Sequence, residues 1–282
     1  MTTNTVLVTG GTGKTGRRVA ARLAALGIPA RIGSRSAAPR FDWQDPAGWP
    51  AALDGVDAVY LAYAPDVAFP GGREAVAALA RLAHESGVRR LVLLSGRGEP
   101  AAQAAEADVA ATGAEWGVVR ASFFAQNFSE GFLAEAVAAG VLPFPGGEVA
   151  EPFVDVEDLA DLAVHALTAP RPWNRVVEAT GPRLLTFAQA ADEIGAAAGR
   201  PVAYVPLTVQ EFVAGLLAEQ VPADLAADLG ALFAAVLDGR NASVADGVAE
   251  VLGRPARDFG DYARAAAATG VWGAPAPAGA DR

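Results

Sequence analysis

Short apolar runs separated by alanine-rich segments recur along roughly the first 120 residues of the chain. The runs are nearly continuous in Val, Leu, Ile and Ala, and the segments between them carry apolar residues at helical spacing. Near-continuous apolar strands are typical of parallel sheets that helices cover on both faces. The alternation therefore predicts an α/β fold with a doubly wound parallel sheet. The predicted strands are Val6–Val8, Ala30–Gly33, a short strand at Phe41, Asp57–Tyr63, Arg90–Ser95 and Trp116–Arg120.

The rhythm of strand and helix loosens beyond about Gly140. We predict that residues 1–140 form the main domain and that residues 141–273 form a smaller C-terminal α/β region, which can interleave with the first. Residues 274–282, rich in Ala, Pro and Gly, are predicted to be a disordered tail. The later predicted elements are a turn-rich connector at Leu142–Gly147, short strands at Glu151–Val154 and Val176–Ala179, and helices at Asp155–Leu167, Thr186–Ala198 and Thr208–Leu237, the last interrupted at Pro222.

A glycine-rich turn joins the first predicted strand to the first predicted helix, Arg17–Leu26. Gly10 permits a tight turn, Gly13 lets the backbone approach a phosphate, and Gly16 lets the helix pack close to the strand. The helix N-terminus adds N–H groups and a partial positive charge. Strand, glycine turn and helix in this order predict a Rossmann-type dinucleotide site. The predicted contacts in the turn are Gly10, Thr12, Gly13, Lys14, Thr15 and Gly16.

Two other interpretations of this turn are weaker. Gly13-Lys14-Thr15 resembles the end of a P-loop, which would bind a nucleoside triphosphate. A P-loop needs a glycine five residues before Gly13, and Val8 stands there, within the strand. An ordinary glycine turn would not explain the strand before it and the helix after it.

The end of the second strand predicts which dinucleotide is bound. NAD-binding domains place an acidic residue there to hold the ribose hydroxyls. The chain has Arg31, Gly33, Ser34 and Arg35 in this stretch, and no acid. Ser34 and Arg35 offer a hydroxyl and a planar guanidinium to a 2′-phosphate, and Arg31 is a weaker candidate. We therefore predict NADP(H), the alternative being that Arg35 is a solvated loop cation.

Composition and charge exclude several classes of function. The chain is 52% hydrophobic and 19% charged with mean hydropathy +0.26, but no apolar run reaches membrane-spanning length. A net charge of −10 argues against direct nucleic-acid binding. Cysteine is absent, and His84 and His165 lie far apart, so no metal site is predicted. With no room for a signal peptide before the first strand, we expect a cytoplasmic protein.

The usual catalytic pair of short-chain dehydrogenases is missing. In that Tyr-x-x-x-Lys pair, lysine lowers the pKa of the tyrosine, so that the phenol serves as the proton donor. Lys14 is the single lysine of the chain, and Gly10 stands four residues before it. Hydride transfer to an iminium needs no such donor, because the product is a neutral amine.

The chain resembles the NmrA-like atypical short-chain dehydrogenases, and within them the festuclavine/agroclavine dehydrogenase type. The motifs that carry the resemblance are Gly10–Thr15, Phe41-Asp42-Trp43, Leu94–Glu99, Arg120–Phe128 and Phe153–Asp158. The resemblance implies reduction of an iminium substrate with NADPH.

Register with these relatives assigns further residues. It places Gly98 and Ala102 where the missing tyrosine and lysine would stand, and Glu106 matches a glutamate common in that helix. Ser95 is where related enzymes keep a substrate-orienting hydroxyl, the alternative being a cap on the next turn. Asp42 matches an acid that binds the adenine amino group.

The remaining predicted site residues follow other strands of the sheet. Tyr63 and Ala64 are expected to line the adenine-ribose side of the cofactor, with Ser95 also near it. Arg97 is either a pocket cation or a solvated loop residue. The predicted substrate-pocket residues are Phe123, Phe124, Asn127 and Phe153. For the aromatic residues that follow the fifth strand, Phe123, Phe124 and Phe128, a core position is the alternative.

We predict an NADPH-dependent reductase of a medium-sized apolar metabolite, with an imine or iminium, enone, quinone or ketone as the acceptor. Two alternatives stay open at this point. One is a non-catalytic NADP(H)-binding redox sensor that regulates a protein partner, because loss of the catalytic pair fits that equally well. The other is an isomerase on the same scaffold. The oligomeric state is left open.

Overall fold

The computed structural model of the chain describes residues 5–273, so the predicted tail at 274–282 lies outside the described residues. The strands are β1 Val6–Thr9, β2 Ala30–Gly33, β3 Ala58–Leu61, β4 Arg90–Gly96, β5 Glu115–Ala121, β6 Val141–Phe144, β7 Ala150–Glu151, β8 Val176–Ala179, β9 Leu185–Thr186 and β10 Ala203–Pro206. The helices are α1 Lys14–Ala25, α2 Trp49–Leu53, α3 Gly72–Glu85, α4 Pro100–Ala110, α5 Asn127–Glu130, α6 Ala134–Ala138, α7 Val156–Thr168, α8 Phe187–Ala198, α9 Val209–Ala218, α10 Ala223–Val236, α11 Gly247–Leu252 and α12 Phe259–Ala268.

The first of two compact units contains the described residues up to Ala121, together with Val156–Ala179 and Asp246–Arg254. Its six strands form one parallel sheet in the order β2-β1-β3-β4-β5-β8. This confirms the predicted α/β class with a doubly wound parallel sheet. Because β2 and β3 flank β1 on opposite sides, the order of the strands reverses there. Ligands of such sheets bind outside the carboxyl ends of the strands at this switch point.

Helices bury the apolar strands of this sheet. Leu7 and Val59 are fully buried, as parallel strands covered on both faces require. Helix α1 turns Val19 toward the core, and its Arg18 and Arg22 side chains form ion pairs with α7. In one of these pairs Arg18 Nε lies 2.5 Å from Glu157 Oε1. The contact holds α1, which directly follows the glycine turn, against a second helix of the same unit.

The second unit contains Ser122–Asp155, Thr180–Ala245 and the described residues from Pro255 onward. Strands β6 and β10 pair in parallel, and β7 and β9 pair antiparallel. Helix α8 packs against α12 and begins with a capping box between Thr186 and Gln189. The phenylalanine rings of its core are those of Phe128, Phe144, Phe153, Phe187, Phe212, Phe233 and Phe259.

The structure differs from the sequence predictions in four places. The predicted connector Leu142–Gly147 contains most of β6, and β10 was not predicted at all. Phe41 is not in a strand; its N–H donates to the Ser34 carbonyl oxygen, and its ring packs on Trp43 at 5.2 Å between centroids. The first unit departs from a boundary at 140, because its first segment ends at Ala121 and two later segments return to it.

A membrane-spanning helix is not found among residues 5–273, since none of their helices combines the required length and apolarity.

Candidate functional site

The glycine turn after β1 has the geometry of a phosphate-binding loop. Gly10 adopts φ +59, the left-handed conformation that favours glycine, and its carbonyl oxygen accepts the N–H of Gly13 at 2.8 Å. Helix α1 then begins, with Gly13 as its N-cap. The N–H groups of a first helical turn have no acceptor within the helix. The turn therefore presents them, at the β1–β3 switch point, to an anion.

The second and third glycines of the motif have different surroundings. A Cβ added to Gly16 would lie 2.2 Å from the Gly10 carbonyl oxygen, so only glycine permits this approach of helix to loop. A Cβ added to Gly13 would meet nothing closer than that same oxygen, at 3.1 Å. Gly13 is exposed, so the space in front of it is open for a ligand. The loop thus fits the diphosphate of a dinucleotide.

The side chains of the other predicted loop residues differ in how exposed they are to solvent. Thr12 is exposed and Lys14 is partly exposed, so both side chains are accessible from solvent. Thr15 is 5% exposed, which leaves its backbone N–H rather than its hydroxyl for a phosphate. Thr9, which sequence reasoning missed, fixes the base of the loop. Its hydroxyl donates to the Tyr60 carbonyl oxygen at 2.9 Å and accepts from the N–H of Ala62 at 2.8 Å.

The loop after β2 carries the predicted 2′-phosphate site. Arg35 is exposed, and Ser34 Oγ lies 3.3 Å from Ser36 Oγ. Arg31 has another role: its Nη1 donates at 2.7 Å to two carbonyl oxygens near the end of α2. Arg40 was missed by the sequence analysis, although it brings a second guanidinium to this loop through an ion pair of 2.8 Å with Asp42.

Asp42 is already engaged on both carboxylate oxygens. Oδ1 accepts the Gln44 N–H at 3.1 Å, and Oδ2 accepts from Arg40. These hydrogen bonds, that from Gln44 first, lower the pKa of Asp42 below its usual value, with the charges of Arg40 and Arg35 adding to the effect. Asp42 is thus ionised at neutral pH. Its predicted contact with an adenine amino group would have to use a remaining lone pair.

Aromatic rings line the sheet edge after β3. Tyr63 is half-buried and packs against Trp43 at 5.1 Å between ring centroids. Trp43 Nε1 donates to the Ala62 carbonyl oxygen at 3.2 Å, which fixes the ring next to the switch point. Ala64 is exposed in the same loop. Trp43 belongs to a motif quoted from the sequence but was not assigned to the site; its place beside Tyr63 adds it.

Ser95, at the end of β4, belongs to a buried charge network. Its hydroxyl donates to Glu106 Oε1 at 2.6 Å, and Ser95 itself is 3% exposed. Arg120 donates to the same carboxylate through Nε at 2.9 Å and through Nη2 at 2.5 Å. Arg120 also donates to Glu178 at 3.0 Å, and Glu178 receives Arg97 Nε at 3.2 Å. The network therefore orients Ser95 and holds its proton toward Glu106.

Arg97 is part of this network rather than a solvated loop residue. Its side chain is 11% exposed, and its backbone N–H donates to the Ala121 carbonyl oxygen at 2.9 Å. Of the two sequence-based alternatives, the solvated residue is therefore wrong.

A pair of acidic side chains, also missed by the sequence analysis, lies at the carboxyl ends of β3 and β4. Asp66 and Glu99 are hydrogen-bonded to each other. Burial, together with the charge of Asp66, raises the pKa of Glu99 to about 9. Their separation of 33 positions gives no local sequence signal.

The predicted substrate-pocket residues lie in the second unit. Phe123 and Phe124 are half-buried, and Asn127 begins α5. The prediction that Phe153 lines the substrate pocket is corrected, because this residue is 2% exposed and lies in the phenylalanine core. Its ring centroid lies 5.2 to 5.6 Å from those of Phe123, Phe128, Phe187 and Phe259. Contact of Phe123, Phe124 and Asn127 with a substrate stays a prediction.

Among residues 5–273, no three His, Asp or Glu side chains are grouped so as to hold a metal ion.

Comparison with known proteins finds one family model and several similar chains. Residues 10–170 match a family described as NAD(P)H-binding. The NAD(P)H azoreductase of Xenophilus azovorans is 33% identical, over 93% of this chain and 98% of that one. Agroclavine dehydrogenase of Claviceps fusiformis is 32% identical, over 92% and 96%. The structure of Citrobacter sp. triphenylmethane reductase complexed with NADP(H) superposes with a TM-score of 0.72 at 18% identity, over 93% and 99%, which supports the fold.

Proposed function

The chain belongs to the NAD(P)H-binding family, and from this membership we propose that it is an NADPH-dependent reductase of a medium-sized apolar metabolite. The reaction passes a hydride to an activated acceptor: an imine or iminium, an enone, a quinone or a ketone. The observation that carries the proposal is the turn Gly10–Gly16, which aims the N-terminus of α1 into open space at the switch point of the sheet. The azoreductase and agroclavine dehydrogenase named above are relatives that support reduction as the reaction class.

Cofactor selectivity is assigned to the loop after β2. Arg35 and Ser34 follow the strand where an NAD-binding domain would carry an acid, and Arg40 adds a second cation. A 2′-phosphate would accept from these donors, and NADH has no such group. We therefore propose a preference for NADPH over NADH.

The variant Arg35→Ala is expected to bind NADPH about 10- to 150-fold more weakly and NADH unchanged. The loss corresponds to roughly 1.5–3 kcal/mol for hydrogen bonds to a charged group. Calorimetric titration with both nucleotides measures it. Arg89→Ala, an exposed arginine that precedes β4 at the amino ends of the strands, is the matched control. Equal losses for the two nucleotides in Arg35→Ala would contradict the assignment.

No tyrosine of the chain is expected to act as the proton donor. Tyr60 is fully buried, and Tyr262 is 4% exposed with its hydroxyl donating to Ser129 at 2.8 Å. Tyr204 donates to backbone carbonyl oxygens, and Tyr63 packs on a tryptophan. Each Tyr→Phe variant should keep kcat within about tenfold of the parent, or roughly 1.4 kcal/mol in the barrier. A thousandfold loss in a variant that binds NADPH normally would show that this tyrosine is the acid.

The reaction class is tested with NADPH deuterated at C4. The labelled nucleotide is incubated with a panel of cyclic iminium ions, enones, quinones and ketones, and the products are examined by mass spectrometry. Stereospecific transfer of one deuterium to an acceptor supports a reductase. Nucleotide binding with no transfer to any acceptor, together with a nucleotide-dependent complex with another protein, would instead favour the redox sensor.

A further inference from the structure

Two carboxyl groups from distant parts of the first unit share a hydrogen bond. Asp66 follows β3 and accepts the Ala68 N–H on Oδ1 at 2.8 Å, while its carboxyl also bonds that of Glu99. Glu99 lies between β4 and α4, against Gly96, where an added Cβ would come within 2.1 Å of both carboxyl oxygens. Among residues 5–273, Glu99 Oε2 has no hydrogen-bond partner although it is buried. The absence of a side chain at Gly96 is what makes room for this acid.

Glu99 does not perform the structural task that its position suggests. It is the N-cap residue of α4, where a carboxylate normally accepts an N–H of the first turn. No such bond forms, because the side chain turns to Asp66 instead. Capping the helix therefore does not explain its orientation.

The pair holds a proton at neutral pH. A hydrogen bond between two carboxyl oxygens requires a proton, and two adjacent carboxylates cannot both ionise at ordinary cost. Burial, and then the charge of Asp66, raises the pKa of Glu99 to about 9, and burial raises the pKa of Asp66. Glu106 also faces Glu99 and raises its pKa further, although Arg120 partly neutralises that carboxylate. At neutral pH the pair of Asp66 and Glu99 therefore holds one proton between them.

In the sequence this acid lies one position after the place of the missing tyrosine. Register with the resembling dehydrogenases puts Gly98 at the tyrosine position, and Glu99 is the next residue. It follows the same strand end as Ser95, at the carboxyl edge of the sheet where ligands of this fold bind.

We propose that Glu99 is the proton donor for acceptors whose reduced form needs a proton, and that Asp66 holds this proton in position. The proposal rests on the function proposed above. The bound nicotinamide supplies the hydride, that is, two electrons and one proton. The Glu99 O–H bond breaks as an O–H or C–H bond forms on the acceptor, and the Glu99 carboxylate then takes a proton from water.

The chemistry of the acceptor separates this role from a structural one. A ketone or an enone gains negative charge when it receives a hydride, so the transition state benefits from a donated proton. An iminium ion becomes a neutral amine and needs none. A donor therefore affects the first group of acceptors and not the second, whereas a distorted site affects both.

The variant Glu99→Gln keeps the shape of the side chain and a donor toward Asp66, but cannot release a proton. We expect kcat for ketones and enones to fall about 100-fold or more with KM nearly unchanged, which is the scale of general acid catalysis. With cyclic iminium acceptors kcat should stay within a few-fold of the parent. Asp108→Asn, the same change on α4 at a partly exposed acid paired with Arg73, is the matched control and should retain activity.

The shared proton should make the stability of the nucleotide-free protein depend on pH. The folded protein keeps the proton up to about pH 9, whereas the unfolded chain releases it above about pH 4.5. Stability should therefore fall as pH rises between these values. Urea unfolding of the nucleotide-free protein should show this slope in the parent and a flatter one in Glu99→Gln. In the parent, kcat for ketones should also fall as pH rises through about 9.

Asp66→Asn provides a second test. Removing the neighbouring charge lowers the pKa of Glu99, so kcat for ketones should begin to fall at a lower pH than in the parent. Glu99→Gln with parental kcat on a ketone that the parent reduces would overturn the donor role, as would equal losses on ketone and iminium. A parent that reduces no acceptor would overturn the proposed function and the donor role together. Parallel stability curves for parent and Glu99→Gln would then overturn the shared proton as well.

Discussion

The variant Gly13→Val is expected to lose NADPH binding by at least about a hundredfold while the protein stays folded. Gly13 has φ −78 and ψ 180, a conformation that other residues adopt, so its backbone does not require glycine. A valine there would fill the exposed space in front of the first turn of α1, where the diphosphate must approach. Losing two hydrogen bonds to a charged group at roughly 1.5–3 kcal/mol each accounts for the loss.

Calorimetric titration with NADPH and circular dichroism measure binding and folding in the same samples. Gly16→Ala is the informative contrast, because its Cβ would lie 2.2 Å from the Gly10 carbonyl oxygen and would push α1 away from the loop. That variant should lose stability by about 1–3 kcal/mol, the scale of overpacking. Parental NADPH affinity in a folded Gly13→Val protein would show that the turn does not bind the cofactor.

Removing Glu106 should give the largest loss of stability at the site. Its carboxylate is 5% exposed and receives Arg120 through two bonds and Ser95 through a third. The variant Glu106→Ala leaves the Arg120 guanidinium without its main partner. Breaking a buried pair from one side lowers the free energy of unfolding by about 3–5 kcal/mol.

Glu178→Ala is the control for this prediction. It removes another acid bonded to Arg120, but the Glu178 side chain is 35% exposed, so we expect a loss below about 1 kcal/mol. Urea titrations of the two variants measure the difference. Equal small losses would mean that solvent replaces Glu106 and that the network does not fix Ser95.

The sequence predicted those strands and helices whose position depends on residues close to one another in the chain. Ala30–Gly33 and Val176–Ala179 were predicted with the bounds that the structure shows, because short segments between turns and helices are typical of strands in an alternating α/β chain. Thr186 was predicted to open a helix, and its hydroxyl accepts the Gln189 N–H at 3.2 Å.

Elements stabilised by distant partners were not predicted. Pro143 lies within β6 and Pro206 ends β10, and proline argues against a strand because it cannot donate to the ladder. In a two-stranded sheet each strand has a free edge, so the missing donor is tolerated there. Phe41 was predicted to form a short strand, yet it is buried by aromatic packing on Trp43.

In the candidate site, too, features formed by neighbouring residues were predicted and features formed by distant residues were not. The phosphate loop could be found because Gly10, Gly13 and Gly16 are neighbours in the sequence. The contacts of Glu99 could not be found, because Asp66 reaches it only after β3 and β4 have paired. Sequence reasoning thus found the glycine turn but not the pairing of Glu99 with Asp66.

The return of late segments to the first unit determines when that unit can be completed during translation. Its sheet needs β8, which ends at Ala179, and α11 packs on β8 so closely that a Cβ on Gly247 would lie 2.1 Å from the Glu178 carbonyl oxygen. The last segment of the unit ends at Arg254 of 282 residues. Chains emerge from the ribosome N-terminus first, so the unit that contains β1 can complete its fold only after most of the protein has been synthesised. A nascent chain stalled before β8 would expose the edge of β5 to pairing with other chains.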